Sequence, residues 1–343
     1  MSSRGIRIIS AGSALPARCV TNDDLSKVME TSDEWIRSRS GIGSRQYCGE
    51  GESCLTLAAE AGRRAMRNGG VSPEEIRVII AATSSGDYIV PSMAAMVQKE
   101  LGIPEEVTAF DLGAGCTGFV LALAAARGIL LGMEAEEEAG RETEASRETK
   151  TGRNTEAGRE TRAPKALVIG CEQLSSLLDR DDRGTAILFG DGAGAAVISL
   201  SDGLFCQKSW SRGDDHALRL NGVGRPDQHI RMQGQEVFRF AVHALKQGID
   251  EVLSETGLTM DDIDYVLCHQ ANARIIDHTA RQYRGSAEKF LMNIETRGNT
   301  SAASVPILLS EAVERNTFRP GMRVILAAFG AGLTWSAILM EWQ

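Results

Sequence analysis

Cys116 stands in Phe110-Asp-Leu-Gly-Ala-Gly-Cys-Thr-Gly-Phe119, after a short strand pattern and at the opening of a strongly apolar helical one. A thiol at a helix start meets unpaired backbone N–H groups and the positive end of the helix dipole, both of which favour thiolate. Small residues on either side leave room for a substrate at the sulfur. The same placement also fits a buried structural cysteine, the usual fate of a free thiol, and the local sequence leaves both readings open. His269 follows the strand pattern Tyr265 to Cys268 and precedes Gln270-Ala-Asn272. A histidine just past a strand end in an α/β fold points into the crevice where ligands bind, though taken alone a satisfied core or capping histidine is the more usual reading; Cys268, on the alternate face, reads as core. Asn299 lies in Arg297-Gly-Asn-Thr-Ser-Ala-Ala-Ser-Val-Pro306, a loop opening onto a helix. Asn-Thr-Ser makes a plain N-cap cluster, which does not explain the small residues of the first turn. Gly330-Ala-Gly332 sits between two strand patterns, where exposed N–H groups suit an oxyanion. Gly190-Asp-Gly-Ala-Gly194 is followed by the strand pattern AAVISL rather than a helix, so it is not a dinucleotide-binding loop.

Positioning these residues requires an α/β scaffold. Short β-branched runs alternate with longer helical patterns: strands over 77–83, 108–112, 166–170 and 194–200, with helices over 91–101 and 117–131. The order then returns with a helix over 237–255 ending at Gly257, a strand over 265–268, helices from about Asn272 and over 301–315, and closing strands over 323–329 and 334–341. Two acids, an Ile and a buried strand recur at Pro73 and at Met260, and each half ends in a glycine-rich turn feeding a strand. Two similar halves are expected, 1–200 carrying the cysteine and 201–343 carrying the histidine and asparagine.

One segment interrupts the pattern. From about 134 to 162 the only apolar residue type is Ala, acids and bases crowd together, and AGRET occurs at 139 and again at 157. Such a stretch cannot bury enough apolar area to offset its ordering entropy; it reads as a solvated insertion extending the helix before it, with a docking or regulatory tail as the other option.

The chain has 343 residues, 43% of them hydrophobic and 24% charged, with a net charge of −9. That balance excludes a general nucleic-acid binder, which needs a basic face. No apolar run approaches the ~20 residues of a membrane span, and the N-terminal stretch reads as no signal peptide. Seven cysteines without a C-x-x-C pair suggest neither a disulfide framework nor a metal site, and point to a reducing cytoplasm.

Taken together the motifs resemble the β-ketoacyl-acyl-carrier-protein synthase III family of the thiolase superfamily. The resemblance runs nearly end to end outside the insertion: TSDEWI from Thr31, RSGI from Arg39, GAGCTGF from Gly113, DRGT from Asp182, FGDGAGAAV from Phe189, HQANARI from His269, GNTSAASVP from Gly298 and FGAGLTW from Phe329. It implies a five-layered α-β-α-β-α fold and decarboxylative condensation of an acyl-CoA primer with malonyl-acyl-carrier protein, initiating fatty-acid synthesis. Cys116 would carry the acyl group, His269 and Asn299 would bind the malonyl thioester carbonyl, and the backbone N–H groups of Cys116 and Ala331 would hold the tetrahedral oxyanion. Ala331 stands where many relatives have Gly. Trp35 and Arg39 match the positions that sandwich the CoA adenine, and Arg183 a third CoA contact. Arg239 and Arg274 match the basic surface for the carrier protein. Val90 falls where a bulky aromatic commonly closes the acyl pocket across a homodimer interface, so larger primers than acetyl are expected. No organic cofactor or metal is implied.

Two other readings stay in view. One is an enzyme of the same fold that primes polyketide synthesis or transfers acyl groups in specialised metabolism; intact Asn299 and HQAN favour condensation. A non-catalytic acyl-CoA-binding subunit would be expected to have lost the cysteine. A thiolase's second cysteine has no counterpart in Gly330-Ala-Gly332, and no motif supplies the additional glutamate base of hydroxymethylglutaryl-CoA synthase.

Overall fold

The computed structural model describes residues 4–151 and 163–343. Two five-stranded sheets form its frame. In the first, the strands run in the spatial order Gly5–Ala14, Gly192–Ser201, Lys165–Glu172, Ile76–Ala82, Thr108–Leu112. The first two pairings are antiparallel and the last two parallel. The second sheet runs Phe205–Asp214, Gly332–Glu341, Arg323–Gly330, Tyr265–Cys268, Phe290–Leu291, again with two antiparallel pairings and then two parallel ones.

The sequence explains the layering. Strands such as RVIIAA and ALVIGC are apolar on both faces, which only a sheet covered on both sides can use. Between the sheets lie the helix Gly118–Thr151, through Phe119, Val120, Leu123 and Leu130, and the helix Ser304–Glu314, through Val305, Leu308 and Leu309; they share one core with Val78, Ile80, Leu326 and Ile338 from the sheets. Outside the first sheet pack Cys54–Gly69 and Met93–Leu101. Outside the second pack Gly234–Thr256, closed by Gly257 at a φ of 68°, and Ala273–Ala280. The layers are therefore helix, sheet, helix, sheet, helix.

Three details depart from the sequence reading. The central helix runs twenty residues past 131, to Thr151; its first part, Gly115–Gly140, is long and apolar enough by composition to cross a membrane, but half of its most apolar window is buried inside the fold between the sheets. Its extension enters the charged insertion as helix, as expected; residues 152–162 lie outside the described residues. The strands Gly5–Ala14 and Phe205–Asp214 were not anticipated, because their apolar positions are interspersed with Ser, Gly and charged residues. The helix after Asn299 begins at Ser304, with the turn Ser301–Ala303 before it.

Candidate active site

Two strands and two helix starts converge where the halves meet. Thr108–Leu112 delivers the Gly115–Thr117 turn that carries Cys116 onto the start of the central helix. Gly115 adopts a φ of 50°, a conformation glycine enters without steric cost. From the opposite sheet, Gly330 approaches so closely that a Cβ there would lie 2.9 Å from the Cys116 nitrogen. Ala331 follows against the same turn, its nitrogen 3.6 Å from where a Cβ on Gly115 would fall. Tyr265–Cys268 ends in His269, whose backbone N–H still bonds the Ala327 carbonyl at 2.8 Å. Asn299 is pinned by its own backbone, donating to Leu188 O and accepting from the Gly190 N–H, both at 2.9 Å.

Cys116, His269 and Asn299, all buried, line one cavity of about 620 Å³. Trp35, Arg39, Arg239 and Arg274 line it as well. Arg183 does not, but its guanidinium lies 4.5 Å from the Trp35 ring centre, with that of Arg39 at 5.7 Å, so one indole gathers two cations. Arg274 lies over Phe238 at 5.6 Å. Val90 is apart from this cavity, 82% exposed in the loop Tyr88-Ile89-Val90.

The polar atoms of the site are arranged as donors. Asn299 Oδ1 accepts the Ser301 N–H at 2.9 Å, which leaves its NH₂ as the group without that partner. The asparagine thus closes a local turn and is not the helix N-cap its sequence context suggested. His269 Nδ1 lies 2.6 Å from Ser304 Oγ, and that hydroxyl accepts the Gln270 N–H at 3.2 Å. With one lone pair so occupied, the Ser304 proton is assigned to Nδ1, which leaves Nε2–H as the ring's donor. Phe329 meets the imidazole edge to face at 5.3 Å.

Burial dominates the electrostatics. It pulls His269 down to about 3, so the ring is neutral at physiological pH. It pushes the Cys116 thiol up to about 12, although hydrogen bonds from Ser301 and from the cysteine's own N–H oppose it, and the Glu172 charge adds to the rise. The expected helix-start thiolate is thus outweighed by desolvation, and the resting sulfur holds its proton. Glu172, Ser301 and Ser304 are the site neighbours that motif reading missed; the signal for Glu172 was an acid at the end of an otherwise apolar strand.

The comparisons with known proteins agree with this geometry. The family described as 3-oxoacyl-[acyl-carrier-protein] synthase III, C terminal, matches residues 253–342, and its companion, 3-oxoacyl-[acyl-carrier-protein] synthase III, matches 156–210. A β-ketoacyl-[acyl-carrier-protein] synthase III of Rhizorhabdus wittichii is 41% identical, covering 98% of both chains. This chain belongs to the β-ketoacyl-acyl-carrier-protein synthase III family. Among solved structures, the synthase III of Aquifex aeolicus superposes with a TM-score of 0.84 at 36% identity, covering 98% of this chain and all of that one. The priming β-ketosynthase of the R1128 polyketide pathway gives 0.84 at 29% identity, over 99% and 97% of the two chains. The synthase III fold is accordingly the thiolase-like five-layer arrangement, and the chain is a condensing acyltransferase. Among the described residues no three His, Cys, Asp or Glu side chains group as metal ligands would.

Proposed function

We propose that this protein condenses an acyl-CoA primer with malonyl-acyl-carrier protein, releasing CO₂ and CoA and giving 3-oxoacyl-acyl-carrier protein. The observation that carries the reading is the convergence of Cys116 from one half with His269 and Asn299 from the other in a single cavity. Cys116 attacks the acyl thioester and keeps the acyl group, dividing one difficult bond formation into two steps. The malonyl thioester then places its carbonyl against His269 Nε2–H and the Asn299 NH₂. As CO₂ departs, charge develops on that oxygen, and two buried neutral donors stabilise it without competing for a proton. The enolate attacks acyl-Cys116, and the Cys116 and Ala331 N–H groups receive the second oxyanion. Ala331 is absent from the non-glycine residues in the left-handed region, so its side chain imposes no strain there.

The surroundings fit the two substrates. Trp35 with Arg183 and Arg39 suits an adenine ring and its phosphates. Arg239 and Arg274 at the cavity offer local positive charge to an acidic carrier protein, which the overall charge of −9 does not preclude. The exposed apolar Tyr88, Ile89 and Val90 suit a homodimer interface, and the enzyme acts in the cytoplasm with no resident cofactor. The two halves, 1–200 and 201–343, are units of one active site.

Incubating the protein with ¹⁴C-labelled acyl-CoA primers and malonyl-acyl-carrier protein tests the reading. Labelled 3-oxoacyl-carrier protein is expected, and is expected to vanish in Cys116→Ala; label transferred instead to a hydroxyl or amine acceptor would contradict it. A second reading, starter-unit priming in polyketide synthesis, shares this chemistry and is favoured by the likeness to the R1128 enzyme and by the small Val90; it predicts a longer or branched primer.

A further inference from the structure

Glu172 has no task in the steps above. It ends the buried strand Lys165–Glu172 with no exposed surface at all. A carboxylate so placed is costly unless its oxygens are held, and they are. Oε2 accepts the Ser84 N–H at 3.1 Å and the Ser85 hydroxyl, and Oε1 accepts the Ser301 hydroxyl at 3.1 Å. Ser301 is one of three non-glycine residues among those described with a left-handed backbone, at a φ of 48°, and the Asn299 side chain fixes its N–H. The turn Ser301–Ala303 packs against the turn Gly115–Thr117, which brings the same residue beside the Cys116 thiol, whose proton affinity it lowers. Ser301 thus stands between the turn of the nucleophile and a buried acid, hydrogen-bonded to the acid.

We propose that Glu172 is the proton acceptor for Cys116, reached through Ser301, and that it returns the proton when the thiol is released. The inference rests on the condensing reaction proposed above. In the first half-reaction the Cys116 S–H proton moves to Ser301 Oγ while the Ser301 proton moves to Glu172. The sulfur–acyl bond forms, the bond from acyl carbon to CoA sulfur breaks, and CoA leaves as a thiolate that takes its proton from water. In the second, the enolate forms the carbon–carbon bond, the acyl–Cys116 bond breaks, and the Glu172 carboxyl reprotonates the sulfur through Ser301. The one proton consumed overall is the one CoA takes from water, matching the carboxylate lost as CO₂.

Proton affinities support the relay. A thiol near 12 needs a base, and His269, near 3 and already paired with Ser304, is a poor one. Burial raises Glu172 to about 7, against hydrogen bonds from Ser85, Ser84, Ser301 and Ala302, which places it where a group can both take and return a proton at neutrality. The titratable groups that face it are the thiols of Cys116 and, from the helix Cys54–Gly69, Cys54, itself pushed well up by its hydrogen bond to Cys171 and by burial.

The test separates the half-reactions in Glu172→Gln, which keeps the side chain's shape, and in Ser301→Ala. Acylation is followed by rapid-quench mass with acetyl-, isobutyryl- and octanoyl-CoA from pH 5.5 to 9. Decarboxylation is followed as CO₂ release from malonyl-acyl-carrier protein. Wild-type acylation is expected to rise with pH and level off above about 7, where Glu172 is ionised. In both variants it is expected to fall by about 10²-fold at neutral pH and to keep rising with pH without a plateau, while decarboxylation changes little. The double variant should be no slower than the singles. Wild-type acylation rates and an unchanged plateau in Glu172→Gln would overturn the relay. Parallel loss of both half-reactions with the plateau intact would overturn it too, in favour of a purely structural carboxylate. A wild-type protein that releases CO₂ but forms no Cys116 adduct would overturn the condensing reading, and the relay with it.

Discussion

Replacing Ser304 with Ala tests the reading of His269 as a neutral donor. The Ser304 hydroxyl serves two buried groups, the His269 ring nitrogen at 2.6 Å and the Gln270 N–H at 3.2 Å, and neither residue is more than 1% exposed. Alanine leaves both without that partner. An unsatisfied buried polar group costs about 1–3 kcal/mol, so the variant with two of them is expected to lose about 2–6 kcal/mol of stability. The functional effect should be selective. Without the hydroxyl, nothing holds the proton on Nε2, and an oxyanion donor that is lost or misdirected costs about 10²-fold, or ~2.7 kcal/mol of barrier. That loss belongs to the decarboxylation step alone, because acylation of Cys116 makes no demand on the imidazole. The assay is CO₂ release from malonyl-acyl-carrier protein beside single-turnover acylation, both below the variant's melting temperature. Decarboxylation down about 10²-fold with acylation within about threefold is the expected result. Decarboxylation at the wild-type rate, or both rates falling together, would refute the tautomer argument.

Three further outcomes are expected. Val90→Phe should shorten the range of accepted primers, measured as relative acylation across a chain-length series; an unchanged profile would mean that Val90 does not bound the acyl pocket. Trp35→Ala should raise KM for acyl-CoA about tenfold or more, since a ring with two guanidiniums 4.5 and 5.7 Å from its centre would be lost, and leave kcat nearly unchanged; a change in kcat alone would count against a CoA-binding role. Because burial lowers His269 to about 3, the unfolded chain holds the extra proton between that value and the ordinary 6.5, so this residue makes stability rise with pH across that window, by up to about 5 kcal/mol. Urea midpoints from about pH 4 to 6.5 should therefore climb more steeply in the wild type than in His269→Gln. Glu172, raised to about 7, acts oppositely in both proteins and cancels from the difference.

The parts of the site that sequence made legible were those carried by turns. Cys116, His269 and Asn299 each sit beside small or polar residues that interrupt an apolar pattern, and such breaks are visible without coordinates. The doubly covered strands were equally plain, since a run such as ALVIG has few other uses. What stayed hidden depended on contacts between distant segments. Glu172 lies two residues beyond ALVIG and reads as a strand end meeting solvent; only the approach of the 83–85 loop and of Ser301 shows that it is sealed in. Asn299 looked like a cap, because an Asn-Thr-Ser run before a helix usually is one, but the turn Ser301–Ala303 intervenes and the side chain bonds Ser301 instead. The thiolate expectation weighed the helix start and could not weigh the desolvation that outdoes it. The first strand of each sheet edge escaped because its polar positions hide the alternation.

The central claim is that Cys116 carries the acyl group between two substrates, and intact-protein mass tests it most directly. The protein is incubated with a panel of acyl-CoAs and weighed, then given malonyl-acyl-carrier protein and weighed again. The account predicts an adduct of one acyl group, absent in Cys116→Ala, that malonyl-acyl-carrier protein removes as 3-oxoacyl-carrier protein appears. An adduct that persists would make the protein a transferase to some other acceptor, and no adduct with any donor would contradict the account at its nucleophile.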